Sequence, residues 1–281
     1  MLPIGIHLSY WQVKWDDDLL PLIQKAKSAG FEVAEFPLLF PGDLNYGALR
    51  AELDNLGMMA SCGTGLGPGT DVTHPDSSIR KDGIKFLQSC LEGAAKLGSP
   101  GLGGVTYAPW GFFPDDDWGD RLKRCVASLK DVVIIAEDNN VLIHMELLNR
   151  FEGYLINTVE QGLAIINEVD SKYLKLHLDT FHLNIEADHI GDEIRKAGKY
   201  LGHFHLVANN RKIPGEGHIP WNEVRQALKD VGYQGYLVTE SFVNPAGEVG
   251  KGLFIWRQLA EDLDLSAKQA AQFIKQEMKD V

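Results

Sequence analysis

Eight apolar, strand-like runs, each followed by a stretch of helical periodicity, predict a closed parallel (β/α)8 barrel with one extra helix at the C-terminus. Three observations carry this expectation. The connections are short and recur eight times, which favours a closed ring over an open doubly wound sheet. Helical stretches end in glycine (Gly30, Gly57, Gly98, Gly202), where a left-handed cap is expected, and a strand follows within a few residues. The length of 281 residues, with 44% hydrophobic and 23% charged, suits one large core, so residues 1–281 are read as a single domain.

In order along the chain, IGIHLS from Ile4 precedes the helix-like DDDLLPLIQKAKSAG, and VAEFPLL precedes YGALRAELDNLG. MASCGTG then leads into SIRKDGIKFLQSCLEGAAKLG, and GLGGVT into DRLKRCVASLKDVVIIAEDNN. In the second half LIHMELL is followed by TVEQGLAIINEVD, and LKLHLDTFHL by HIGDEIRKAGKYLG. HFHLVA is followed by WNEVRQALKDVGY, and YLVTESF by GLFIWRQLAEDLD. AKQAAQFIKQEMKD remains as the extra amphipathic helix, suited to covering the barrel base or a neighbouring subunit.

Composition excludes several classes of function. With 27 Lys and Arg against 39 Asp and Glu, the net charge of -12 repels polyphosphate backbones and anionic lipid surfaces, so no nucleic acid and no membrane partner is expected. Cys62, Cys90 and Cys125 are widely spaced and form no CxxC pair, which argues for packed, reduced thiols and a cytoplasmic setting. The start, MLPIGIHLSYW, has no basic leader region, and no apolar run approaches the roughly 18 residues that span a bilayer.

Barrels of this kind carry their chemistry at the C-terminal ends of the strands. There the first half offers His7, the loop SCGTGLGPGTDVTHPD and the aromatic stretch YAPWGFFPDDDW. The second half offers Glu146, Asp179, His205 and Glu240, one from each of four consecutive strands. Buried carboxylates without partners are costly, so these four groups at one mouth require a cation or a dense hydrogen-bond network. No cationic side chain stands among them, and two Glu, one Asp and one His suit manganese, cobalt or magnesium. His144, His177 and His203 precede Glu146, Asp179 and His205 by two residues, so they also face the interior. They are read as a layer beneath the metal that hydrogen-bonds its ligands.

HMELLNRFE, LDTFHLNIE, HFHLVANNR, PGEGHIPW and TESF, with THPDSSIR in the first half, resemble the D-tagatose and D-allulose 3-epimerase group of the xylose isomerase-like TIM barrel superfamily. The resemblance spans essentially the whole chain and is strongest after Leu142. It implies that Glu146, Asp179, His205 and Glu240 bind one divalent ion, usually manganese or cobalt. It also implies that Glu152, His182 and Arg211 hold a ketose near O1, O2 and O3, and it leads us to expect a homodimer or homotetramer. His7 stands where the group often has an aromatic residue, and Trp110 is expected against the apolar face of the sugar.

The implied chemistry is inversion at C3. A proton beside a carbonyl is only weakly acidic, so its removal requires a stabilised enediolate, and inversion is most simply done with two carboxylates on opposite faces. Glu240 would take the C3 proton and Glu146 would deliver one to the other face. Other readings share the site: an aldose-ketose isomerase, an enzyme eliminating from oxidised C-glycosides, or a metal-bearing sugar-binding subunit without turnover. A DNA-repair endonuclease of the same barrel would need more ligands and a basic groove.

Overall fold

Eight parallel strands close in sequence order, each paired with the next and the last with the first: β1 (Ile4–His7), β2 (Val33–Pro37), β3 (Met59–Leu66), β4 (Gly101–Pro109), β5 (Leu142–Glu146), β6 (Leu174–Asp179), β7 (Leu201–His205) and β8 (Leu237–Thr239). The computed structural model describes all residues, Met1–Val281. Such strands are covered on both faces, which is why the runs read as nearly continuous apolar sequence; every residue of β1, β2 and β4 is buried.

The helices are α1 (Leu20–Ala29), α2 (Tyr46–Leu56), α3 (Ser77–Leu97), α4 (Trp118–Asn139), α5 (Val159–Val169), α6 (Thr180–Glu186), α7 (Ile190–Ala197), α8 (Trp221–Asp230), α9 (Gly247–Gly252) and α10 (Leu263–Glu277). Asn45, Asp76, Asp117 and Thr158 accept backbone N–H bonds at the starts of α2 to α5. These bonds satisfy donors that the first helical turn leaves free. Between barrel and helices lies a continuous core of 69 buried apolar residues. The three cysteines are buried within it as free thiols, and no helix is long and apolar enough to cross a membrane.

Gly30, Gly57 and Gly98 cap their helices with left-handed backbone, as expected. Gly202 does not: it lies inside β7, where an added Cβ would come within 2.6 Å of His144 Cδ2. Its bare backbone makes room for a buried imidazole. Strand β6 stops at Asp179, and TFHL opens α6, because the Asp179 carboxylate accepts the Phe181 N–H at 2.7 Å and starts a helix. The run read as the eighth helix, 252–264, is mostly irregular, and Phe254 takes a φ of +59° that no helix continues through. Helix α10 closes the outer ring instead, lying between α8 and α1.

Candidate metal centre and active site

Glu146, Asp179 and His205 are the last residues of β5, β6 and β7, and Glu240 follows β8 directly. Their donor atoms lie within 4.8 Å of one another. His205 Nδ1 is 3.6 Å from Glu240 Oε2 and 3.9 Å from Asp179 Oδ2. Glu146 Oε1, Asp179 Oδ2 and His205 Nδ1 are buried without a hydrogen-bond partner. Each such orphan costs about 1–3 kcal/mol in a folded protein, so three together mark donors that fit a divalent cation.

Electrostatics pushes these carboxyls apart. Burial, reinforced by the neighbouring Glu240, holds Glu146 well above the ordinary carboxylate range. Burial raises Asp179 to about 7 against the pull of Arg211 and His205. For Glu240 burial also acts upward, but the facing His205, His7 and Arg211 outweigh it and bring the carboxyl down to about 2. At 3.6 Å His205 acts on Glu240 through charge rather than through a hydrogen bond.

A cation does face this quartet, contrary to expectation. The Arg211 guanidinium is buried, with Nη1 3.8 Å from Asp179 Oδ2 and 3.7 Å from Glu240 Oε2. Its Nη2 donates to Glu152 Oε2 at 2.9 Å, and its carbon lies 3.9 Å from the centre of the Phe181 ring. Arg211 has a left-handed φ of +64°, uncommon for a residue with a side chain. Nη1 itself has no hydrogen-bond partner, so it is left free to meet an oxygen in the mouth.

Glu152 and His182 belong to the same rim. Glu152 accepts from Trp110 Nε1 at 3.2 Å and from Asn149 Nδ2 at 3.0 Å. The Asn149 backbone N–H donates to His182 Nδ1 at 3.1 Å, so the neutral ring carries its proton on Nε2, 3.7 Å from Glu146 Oε1. Burial, helped by the Arg211 charge, holds His182 well below the ordinary imidazole range and keeps it neutral. Across the mouth His7 Nε2 stands 3.8 Å from Glu240 Oε1, while its Nδ1 meets Ser9 Oγ. These groups surround a cavity of about 330 Å³ whose other walls include Trp15, Leu66, Val105, Phe242 and Leu253.

His144, His177 and His203 do form a buried layer under the quartet, but none hydrogen-bonds a member of it. His177 Nδ1 comes only to 3.8 Å from Glu146 Oε2. His144 stacks on His203 with ring centres 5.8 Å apart and packs against Gly101 and Gly202, and burial brings it down to about 3. His203 Nε2 touches Glu35 Oε2 at 2.7 Å without hydrogen-bond alignment. The side chain that does bond a member of the quartet is that of Glu35 on β2, whose Oε1 is 2.7 Å from His205 Nε2. Sequence reasoning passed over it. Its signal was a lone acidic residue facing inward from the apolar run VAEFPLL.

The xylose isomerase-like TIM barrel family matches residues 23–276. The chain is 39% identical over 272 residues to the D-psicose 3-epimerase of Ruminiclostridium cellulolyticum, covering 92% of this chain and 90% of that one. It is 33% identical over 277 residues to the L-ribulose 3-epimerase of Mesorhizobium japonicum, covering 98% and 93%. The crystal structure of the D-psicose 3-epimerase of Clostridium cellulolyticum with D-tagatose superposes with a TM-score of 0.94 at 36% identity over 99% of both chains. With those overlaps and a barrel closed in the same way, the chain belongs to the ketose 3-epimerase group of the xylose isomerase-like TIM barrel family.

Proposed function

We propose that this protein interconverts free ketoses epimeric at C3, using one divalent ion, manganese or cobalt with magnesium also fitting, held by Glu146, Asp179, His205 and Glu240. The observation that carries the reading is the quartet of converging, partly orphaned donors with a glutamate at each end, one on β5 and one after β8. D-Psicose and L-ribulose 3-epimerases among its relatives agree with it. When bound, the ion supplies positive charge where an enediolate would develop.

The protein's own residues do the rest. Arg211 presents a free N–H to a carbonyl or hydroxyl oxygen, Glu152 accepts from a sugar hydroxyl, and His182 donates from Nε2. Glu240 takes the C3 proton from one face, Glu146 delivers a proton to the other, and the two exchange roles in reverse. Trp15, Leu66 and Phe242 give the cavity an apolar wall beside these polar groups.

Alanine at Glu152, His182 or Arg211 is expected to leave metal occupancy in place and to lower kcat/KM by roughly 10- to 10³-fold, about 1.4–4 kcal/mol of transition-state stabilisation. Elemental analysis beside steady-state kinetics reads both quantities. Loss of metal from all three variants would show that these residues serve the ion rather than the sugar.

The substrate is expected to be unphosphorylated. Arg211 is the one arginine or lysine lining the cavity, and Glu152 already engages it, so no free basic side chain there matches a phosphate dianion. Measured on fructose, allulose, tagatose and ribulose, kcat/KM should exceed that on the corresponding phosphate esters by at least about tenfold, a difference near 1.4 kcal/mol. Preference for any ester would overturn this assignment.

A further inference from the structure

We propose that Glu35 is a positioning residue for the metal centre: it accepts the Nε2–H of His205 and so turns the Nδ1 lone pair of that ring toward Glu146, Asp179 and Glu240. The inference rests on the metal-binding reading and adds to it a residue from the opposite half of the barrel.

Glu35 sits in the middle of β2, 1% exposed, with its side chain in the barrel interior. A carboxylate placed there costs several kcal/mol in lost hydration unless its neighbours repay it. It has three polar neighbours. Ser61, its register partner on β3, donates from Oγ to Oε2 at 2.6 Å; His203 Nε2 touches Oε2 at 2.7 Å; His205 Nε2 lies 2.7 Å from Oε1. Together they hold both oxygens of Glu35 in place.

That anchoring decides the tautomer of His205. With a metal on one nitrogen the imidazole is neutral and carries a single proton, and a carboxylate can only accept, so the nitrogen facing Glu35 must be the protonated one. The other nitrogen, Nδ1, has no partner in the protein and is the atom that faces Asp179 and Glu240, so it is the one whose lone pair a metal would take. A metal-bound histidine needs this arrangement, and groups that hold the distal nitrogen typically contribute 10- to 100-fold to metal affinity. A carboxylate that served only to neutralise His203 would have no need to contact His205.

The test strips the protein with a chelator and titrates manganese and, separately, magnesium by calorimetry, comparing wild type with Glu35→Gln. The expected result is binding by wild type and an affinity weaker by about 10- to 100-fold in the variant. In magnesium-loaded wild type, ¹⁵N NMR of the histidine side chains should show His205 protonated at Nε2 alone; this measurement stands whether or not the variant folds. Equal affinity in a folded Glu35→Gln, or a His205 protonated at Nδ1 in the loaded wild type, would overturn the inference and leave the metal reading intact. Wild type that binds neither ion would sink the metal reading and this inference with it.

Discussion

Glutamine at either Glu146 or Glu240 is expected to abolish epimerisation, with a loss of at least about 10³-fold. General acid–base catalysis alone is worth roughly 10²- to 10⁴-fold, and each residue is also one of the four donors of the metal centre. The amide keeps the size of the side chain, so what is lost is charge and the capacity to carry a proton. Each single variant retains one carboxylate, which should still exchange the C3 proton of one epimer with deuterated water. Metal content must be measured in the same samples, because an emptied site would silence both faces at once. Wild-type epimerisation rates in either variant would refute the two-base scheme.

Removal of the divalent ion should have an effect of the same order. The site holds three carboxylates around one imidazole and one guanidinium, and burial holds Glu146 and Asp179 toward their protonated forms. Arg211 sits within 4 Å of two members of the quartet, yet its other nitrogen is committed to Glu152. It therefore offsets part of the negative charge without replacing an ion at the centre. Cation stabilisation of a developing oxyanion is worth several kcal/mol, so dialysis against a chelator is expected to lower kcat by roughly 10³-fold or more. Readdition of manganese or cobalt should restore activity. Full turnover by metal-free protein would end the proposal.

The position of the chemistry was legible in the sequence because it depends on local features that repeat. Alternation along short parallel strands aims alternate side chains inward, and each of Glu146, Asp179, His205 and Glu240 stands at the end of such a run. The eight-unit order was readable for the same reason, and helices ending at Gly30, Gly57 and Gly98 mark where the first three units stop. Where local signals competed, sequence reading misplaced the element. TFHL is apolar enough to extend β6, but the Asp179 cap turns it into α6 and carries His182 to the rim. GLFIWRQL has helical composition, but Phe254 stacks on the cavity-lining Trp110 and α10 takes the place in the ring.

What only the tertiary structure decided are the contacts between distant strands. Glu35 and His205 lie 170 residues apart, and nothing in VAEFPLL or HFHLVA indicates that β2 and β7 face each other across the barrel interior. The guanidinium of Arg211 is directed by its left-handed backbone and by the ring of Phe181, neither of which has a signature in HLVANNR. Sequence alone thus determined which donors reach the mouth, because strand periodicity is a property of neighbouring residues. Closure of the barrel decided which proton each donor carries and which charge faces it, because hydrogen bonds and burial depend on groups that the chain brings together only when the eighth strand meets the first.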